Sequence, residues 1–153
     1  MSDVFGSVGT VLSVSAALPA TETSVGFAAL TYTAVGEVSE IPEFGTSQSV
    51  QTFVPIATGL TQKRGGAVDS GDVTLTIGLT GTDAGEAILR AKVDAAVTAD
   101  KRVSVKIALP NGDVAYVVGF VSSFMVNIGN ADTVATASVM LALTSAVVYV
   151  EAP

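Results

Sequence analysis

Val73, Leu75, Ile77 and Leu79 interleave with Thr74, Thr76, Gly78 and Thr80, and Val103, Val105, Ile107 and Leu109 interleave with Arg102, Ser104, Lys106 and Ala108. Alternation with a period of two sends successive side chains to opposite faces, so both runs read as half-buried β-strands. Pro110-Asn111-Gly112-Asp113 comes directly after the second run. Asn-Gly is expected to supply the two positive φ values of a two-residue type I′ hairpin turn. The returning run, Val114 to Ile128, carries Tyr116, Val118, Phe120 and Phe124 on one face and Val117, Val121 and Met125 on the other, and reads as a central strand covered on both sides. After a Gly129-Asn130 turn, the run from Asp132 to Thr144 places Ala135, Ala137, Val139, Leu141 and Leu143 on one face and Thr136, Ser138 and Thr144 on the other. The three runs from Arg102 onward form a three-stranded meander.

One segment departs from this period. Asp83 is placed to cap a helix over Ala84 to Ala96, with Glu86 closing a capping box and Ala84, Ala87, Ile88, Ala91 and Ala95 at helical spacing. Earlier strands are expected at Val8 to Ala16, Val35 to Ile41 and Ser47 to Val54. Residues 45–71 hold few large apolar side chains and are long for a connection inside a compact domain. They read as a protruding hairpin or arm that contacts a neighbour, and at about 3.3 Å per residue ten residues of strand would reach about 33 Å.

The absence of His, Cys and Trp removes the usual general base near neutral pH, thiolate chemistry and soft zinc ligands. The 153 residues fit one domain, and a mean hydropathy of +0.60 with 14% charged residues leaves much apolar surface for contacts between chains. The net charge is −7, and every Lys and Arg lies between Lys63 and Lys106. Both flanks carry only acids, which disfavours a surface that holds nucleic acid. Lys63-Arg64 and Lys101-Arg102 are too short as clusters for a nucleic-acid face and suit salt bridges to an acidic neighbouring subunit. The apolar stretch Val8 to Leu18 lacks a basic segment before it, as a secretory signal would need. Thr133 to Val150 is free of charge but alternates as a strand does, so no membrane helix is expected.

Chemistry-bearing patterns are weak. Glu37, Glu40 and Glu43 could supply a carboxylate pair for glycoside hydrolysis, but an aromatic sugar cleft is not provided for by three scattered Tyr. Asp69-Ser70-Gly71-Asp72 matches no EF-hand loop and reads as a turn. Gly6-x-x-Gly9 and Gly78-x-x-Gly81 lack the strand-to-helix setting of a phosphate cradle. No catalytic, metal or cofactor residue is assigned.

Taken in order, Gly36-Glu37-Val38-Ser39-Glu40-Ile41-Pro42-Glu43-Phe44, Thr61-Gln62-Lys63-Arg64, Asp83-Ala84-Gly85-Glu86-Ala87-Ile88-Leu89-Arg90 and Leu109-Pro110-Asn111-Gly112 resemble the tail tube proteins of long-tailed, non-contractile, lambda-like bacteriophages. The resemblance covers residues 35 to about 145. It implies a mainly β fold, a β-sandwich or small barrel with one flanking α-helix and a long protruding loop or hairpin. It also implies assembly as stacked six-membered rings around a conduit for DNA. The 1–153 chain would then be one tail-tube domain, with an N-terminal arm and first strand in 1–34, an inter-ring loop in 45–71 and a C-terminal segment in 145–153. Inter-ring contacts are expected from Gln62, Lys63, Arg64, Val68 and Asp69. Candidate acids of a DNA-repelling lumen are Glu37, Glu40, Asp113 and Asp132. The implied partners are further copies of the chain, a tape-measure protein, a tail terminator, assembly chaperones and baseplate or tip proteins. The implied location is the virion tail, after assembly in the host cytoplasm. A tube protein of a related contractile, secretion or gene-transfer machine, and a surface β-sandwich adhesion module, are the alternatives.

Overall fold

The computed structural model describes residues 4–94 and 100–152. Ten strands and two helices are present among them: β1 (Val11–Ser15), α1 (Ser24–Ala28), β2 (Thr33–Ala34), β3 (Val38–Glu40), β4 (Ser47–Phe53), β5 (Gln62–Asp69), β6 (Asp72–Gly78), α2 (Ala84–Asp94), β7 (Arg102–Ala108), β8 (Val114–Asn127), β9 (Thr136–Leu143) and β10 (Val148–Val150). The main sheet runs β2-β1-β7-β8-β9-β6-β3, all antiparallel, and curls into a half-barrel; β10 pairs with the start of β8. The β4–β5 hairpin forms a separate two-stranded sheet.

The inner face of the half-barrel holds the core. Val73, Leu75 and Ile77 of β6, Val103, Val105 and Ile107 of β7, and Ala137, Val139, Leu141 and Leu143 of β9 meet Leu12, Val14 and Leu89 there, as the alternation requires. The opposite face is covered over part of its width. Phe27 of α1, a helix the sequence pattern does not announce, stacks on Tyr116 with ring centroids 5.4 Å apart, and Val118, Tyr32, Val148 and Val150 complete a second cluster. Ser104, on the polar face of β7, is fully buried beneath the chain beyond β1 and donates to the Ala17 carbonyl at 2.8 Å.

Several expectations are corrected. Asn111 does not take positive φ; only Gly112 does, at 97°. Gly112 N–H donates to the Leu109 carbonyl and Leu109 N–H to the Asp113 carbonyl. Pro110 and Asn111 thus form a type I turn closed by left-handed Gly112, the usual three-residue hairpin with a bulge. Pro110 explains the outcome, because its φ near −65° suits the first central position of a type I turn and draws the turn one residue back from Asn111-Gly112.

A second correction concerns β8. Val121 pairs with Leu141 and Ser123 with Met140, so Ser122 is an inserted residue. The bulge exchanges the faces of the residues beyond it, since one extra residue shifts a period of two. Phe124, opposite Val139, joins the core face, and Met125, opposite Ser138, points to the other. The strand is covered on both sides only as far as Gly119; Met125 and Val126 are exposed.

The helix is also turned relative to expectation. Ala84, Ala87 and Ala91 face solvent, while Gly85, Glu86 and Leu89 are buried. The Glu86 carboxylate is occupied by Arg90 at 2.8 Å and by the Thr80 N–H at 3.3 Å. Asp83 caps the helix, but its own N–H donates to Thr80 Oγ1, so the reciprocal half of the capping box is not formed. Ala95 and Ala96, the end of the expected helix, lie outside the described residues. Early strands are shorter than expected: β1 begins at Val11, and the 35–41 run is broken by a Gly36-Glu37 turn before β3.

Candidate assembly surface

The 45–71 segment is a β-hairpin that stands off the half-barrel. Ser47 pairs with Asp69 at its root and Phe53 with Gln62 toward its tip, with a register shift between Gln48 and Val50. All its strand residues are exposed except Gly66, which is half-buried. Eight residues of β5 correspond to about 26 Å of reach. Val50, Phe53, Val54, Ile56, Leu60 and Val68 are exposed along it. The root is fastened by the Ser70 hydroxyl, which donates to the Ser145 carbonyl at 2.8 Å, and by Val147 N–H, which donates to Thr46 Oγ1 at 3.2 Å.

Of the arm residues named from the sequence, Gln62, Lys63 and Arg64 lie in the distal half, opposite Phe53, Thr52 and Gln51, whereas Val68 and Asp69 lie at the root. Asp69 Oδ1 accepts from Gly71 N–H and shapes the turn into β6. The acids are dispersed. Glu37 takes left-handed backbone (φ 58°) between β2 and β3, and its carbonyl accepts from Gly78 N–H at 2.7 Å. Asp132 is exposed in the β8–β9 loop, in a turn built on Asn130. Both belong to the end of the sheet where β6 finishes, since Leu79 N–H reaches the Ala135 carbonyl there. Asp113 lies at the other end of β8, where its Oδ1 accepts from Ala152 N–H at 2.8 Å and secures the C-terminal chain. Glu40 pairs with Thr76 in the edge strand β3, beyond a register irregularity, and borders the open mouth of the half-barrel.

Among the described residues, the outer side of the sheet is uncovered over β6, β9 and the distal half of β8. Its exposed or half-buried residues include Asp72, Thr74, Thr76, Ser138, Met140 and Met125. Sequence reasoning gives this face no role, although the Thr and Ser of the alternating runs mark it. It also misses an open groove of about 360 Å³ at the mouth of the half-barrel, lined by Val38, Glu40, Ile41, Phe44, Ile107 and Leu109.

The cations differ in engagement. Arg90 pairs with Glu86, and Arg102 grips Asp100 through two bonds of 3.0 Å, which lowers the Asp100 pKa to about 2. Lys92 and Lys101 donate to backbone carbonyls, and Lys106 sits over the Tyr32 ring. Lys63 and Arg64 form no salt bridge among the described residues. Among those residues no group of three or more His, Cys, Asp or Glu is placed to hold a metal ion, and no helix is long and apolar enough to cross a membrane.

In its fold the chain is similar to solved chains from phage-like tails and injection machines. A chain from the extended-state structure of the PVC sheath/tube terminator, of an extracellular contractile injection system, superposes with a TM-score of 0.68 at 12% identity, covering 98% of this chain and 99% of that one. A chain of the anti-feeding prophage baseplate gives 0.68 at 11% identity, covering 98% and 97%. The SPP1 tail tube gives 0.61 at 12% identity, covering 94% and 78%. No family model matches the sequence, and no curated protein does. At these identities the likeness is one of fold.

Proposed function

We propose that the chain is a structural subunit of the tail tube of a phage-like particle, polymerising as stacked six-membered rings into a hollow conduit through which DNA passes. The observation that carries this reading is the arm: a hairpin with nearly every side chain in solvent and no core of its own, on a fold whose neighbours come from tail tubes and injection machines. An isolated two-stranded hairpin is marginal in water, and a neighbouring subunit would give it the packing it lacks. Tape-measure, terminator, chaperone and baseplate proteins are the further partners of this reading, and the virion tail is its location.

The uncovered face of β6 and β9 is the part of the sheet suited to line the conduit. Its Thr and Ser side chains carry no positive charge to hold phosphate, and Asp72 gives it negative charge, so DNA would pass without sticking. Glu37 and Asp132 would add to the field at one end, whereas Asp113 is committed to the C-terminal chain. Asp132→Lys, remote from the mouth of the half-barrel, should slow DNA ejection with tubes intact.

A second reading, the tube or terminator of a contractile injection machine, is favoured by the higher TM-score and near-complete mutual coverage of the PVC chain relative to the SPP1 tube. Negative-stain electron microscopy of concentrated protein tests both. Hollow striated tubes are expected. Discrete particles at every salt concentration, even with preformed tail tips added, would overturn the tube assignment; a coat of sheath subunits on the tubes would select the second reading.

A further inference from the structure

The arm separates charge along its own length. Lys63 and Arg64 lie in its distal half, while Glu40 borders the barrel mouth and Glu43, Asp69 and Asp72 surround the root. From Lys63 to Asp69 the strand spans about 20 Å. The cations of a chain therefore cannot meet the acids at its own root without the hairpin folding back.

The mouth beside that root is incomplete. Among the described residues β3, the last strand of the sheet, pairs with β6 alone, so the half-barrel stays open between β3 and the β2–β1 edge, beside the end of β7. Val38, Ile41, Phe44, Ile107 and Leu109 line the gap under the acidic rim. The distal arm has the complementary chemistry: exposed Phe53, Val54, Ile56 and Leu60 next to two cations that form no salt bridge within the described chain.

We infer that the barrel mouth of one subunit receives the distal arm of a second copy, apolar tip residues in the groove and Lys63 and Arg64 against Glu40 and Glu43. This rests on the proposed tube function and names the surface that the arm engages. The contact is heterologous, because arm and mouth are different patches of the same chain. Repetition therefore propagates in one direction and closes into a ring or continues as a stack. Subunits meeting symmetrically, arm to arm, would place cation against cation.

Cross-linking in solution tests this, and the lack of native Cys makes single introduced thiols unambiguous. Lys63→Cys and Glu40→Cys chains would be mixed and treated with a short bismaleimide, with Asp132→Cys as the site remote from the mouth. A Lys63–Glu40 dimer at least tenfold more abundant than the Lys63–Asp132 or Lys63–Lys63 species is expected, and Arg64→Glu in the arm chain should remove it. Sedimentation of Lys63→Glu/Arg64→Glu, Glu40→Lys/Glu43→Lys and the combined fourfold variant separates the two layers of the reading. Loss of self-association in both double variants, with recovery in the fourfold variant, would establish the pairing. Loss in the arm variant alone, with cross-links elsewhere than the mouth, would overturn the mouth while leaving the arm as a contact. Unchanged association in both, with no Lys63 cross-link, would overturn the arm reading as well.

Discussion

One oxygen of Asp83, Oδ2, accepts from the Glu86 N–H at 3.0 Å and from the Gly36 N–H at 3.1 Å. It caps α2 and ties that helix to the turn that launches β3, 47 residues away in sequence. Asp83→Ala removes a helix cap and orphans the Gly36 N–H together. A loss of about 2 kcal/mol is expected, combining a cap with one further hydrogen bond, and urea denaturation would measure it.

Gly85 lies where α2 presses on the backbone beyond β2. A Cβ added there would stand 2.7 Å from the Ala34 carbonyl oxygen and 2.8 Å from Val35 Cα. Gly→Ala inside a helix ordinarily gains up to about 1 kcal/mol, but displacing backbone costs about 1–3 kcal/mol. Gly85→Ala should therefore lower the melting temperature; a rise would show that α2 can lift off the sheet.

Tyr32 and Asp100 each couple folding to pH. Burial, and to a lesser degree Tyr116, push the Tyr32 phenol up to about 12, and its hydroxyl donates to the Phe27 carbonyl at 2.9 Å. Above the ordinary tyrosine pKa the unfolded chain loses this proton before the folded chain does, so stability falls between about pH 10 and 12. Tyr32→Phe should flatten that decline in alkaline melts. At the acid end Arg102 holds Asp100 down to about 2, so the contribution of this exposed pair is present above about pH 4 and fades as pH falls toward 2. Asp100→Asn should remove that component from an acid titration tracked by circular dichroism.

The arm can be excised without touching the core. Replacing residues 49–66 by a short Gly-containing turn removes no buried side chain and leaves the Ser70–Ser145 fastening in place. The shortened chain should melt within a few degrees of the parent, since no core packing is lost, yet fail to form tubes. Tubes of normal appearance would refute the arm as an assembly contact.

The later strands were legible because their alternation is uninterrupted: β6, β7 and β9 bury the residues that a period of two selects. The β8 bulge was not legible, because Ser122-Ser123 fits a continuous strand as well as a broken one, and only the pairing partner reveals the insertion. The helix register failed for a related reason. Four alanines outweighed Leu89 in the pattern, although Leu89 is the side chain that reaches the core and Gly85 the one that permits close approach. The arm was legible as a connection too long and too rich in Gly, Ser, Thr and Gln for the interior of a compact domain, although Phe53, Ile56 and Leu60 stand exposed along it. The groove was not, because its lining comes from β3, β7 and the chain leading to β4, segments brought together only by curling of the sheet.

Among the described residues, half of β8 and all of β3 leave one strand edge unpaired, and such edges are templates for uncontrolled pairing. The arm changes the kinetics of that hazard on the proposed reading. An arm with no core of its own gives up conformational freedom each time it is seated, and two free subunits must meet that cost before any lattice shares it. A subunit that reaches a finished rim finds the receiving mouths already fixed. Extension of an existing end is thereby faster than the birth of a new one, which favours a few long tubes over many short fragments.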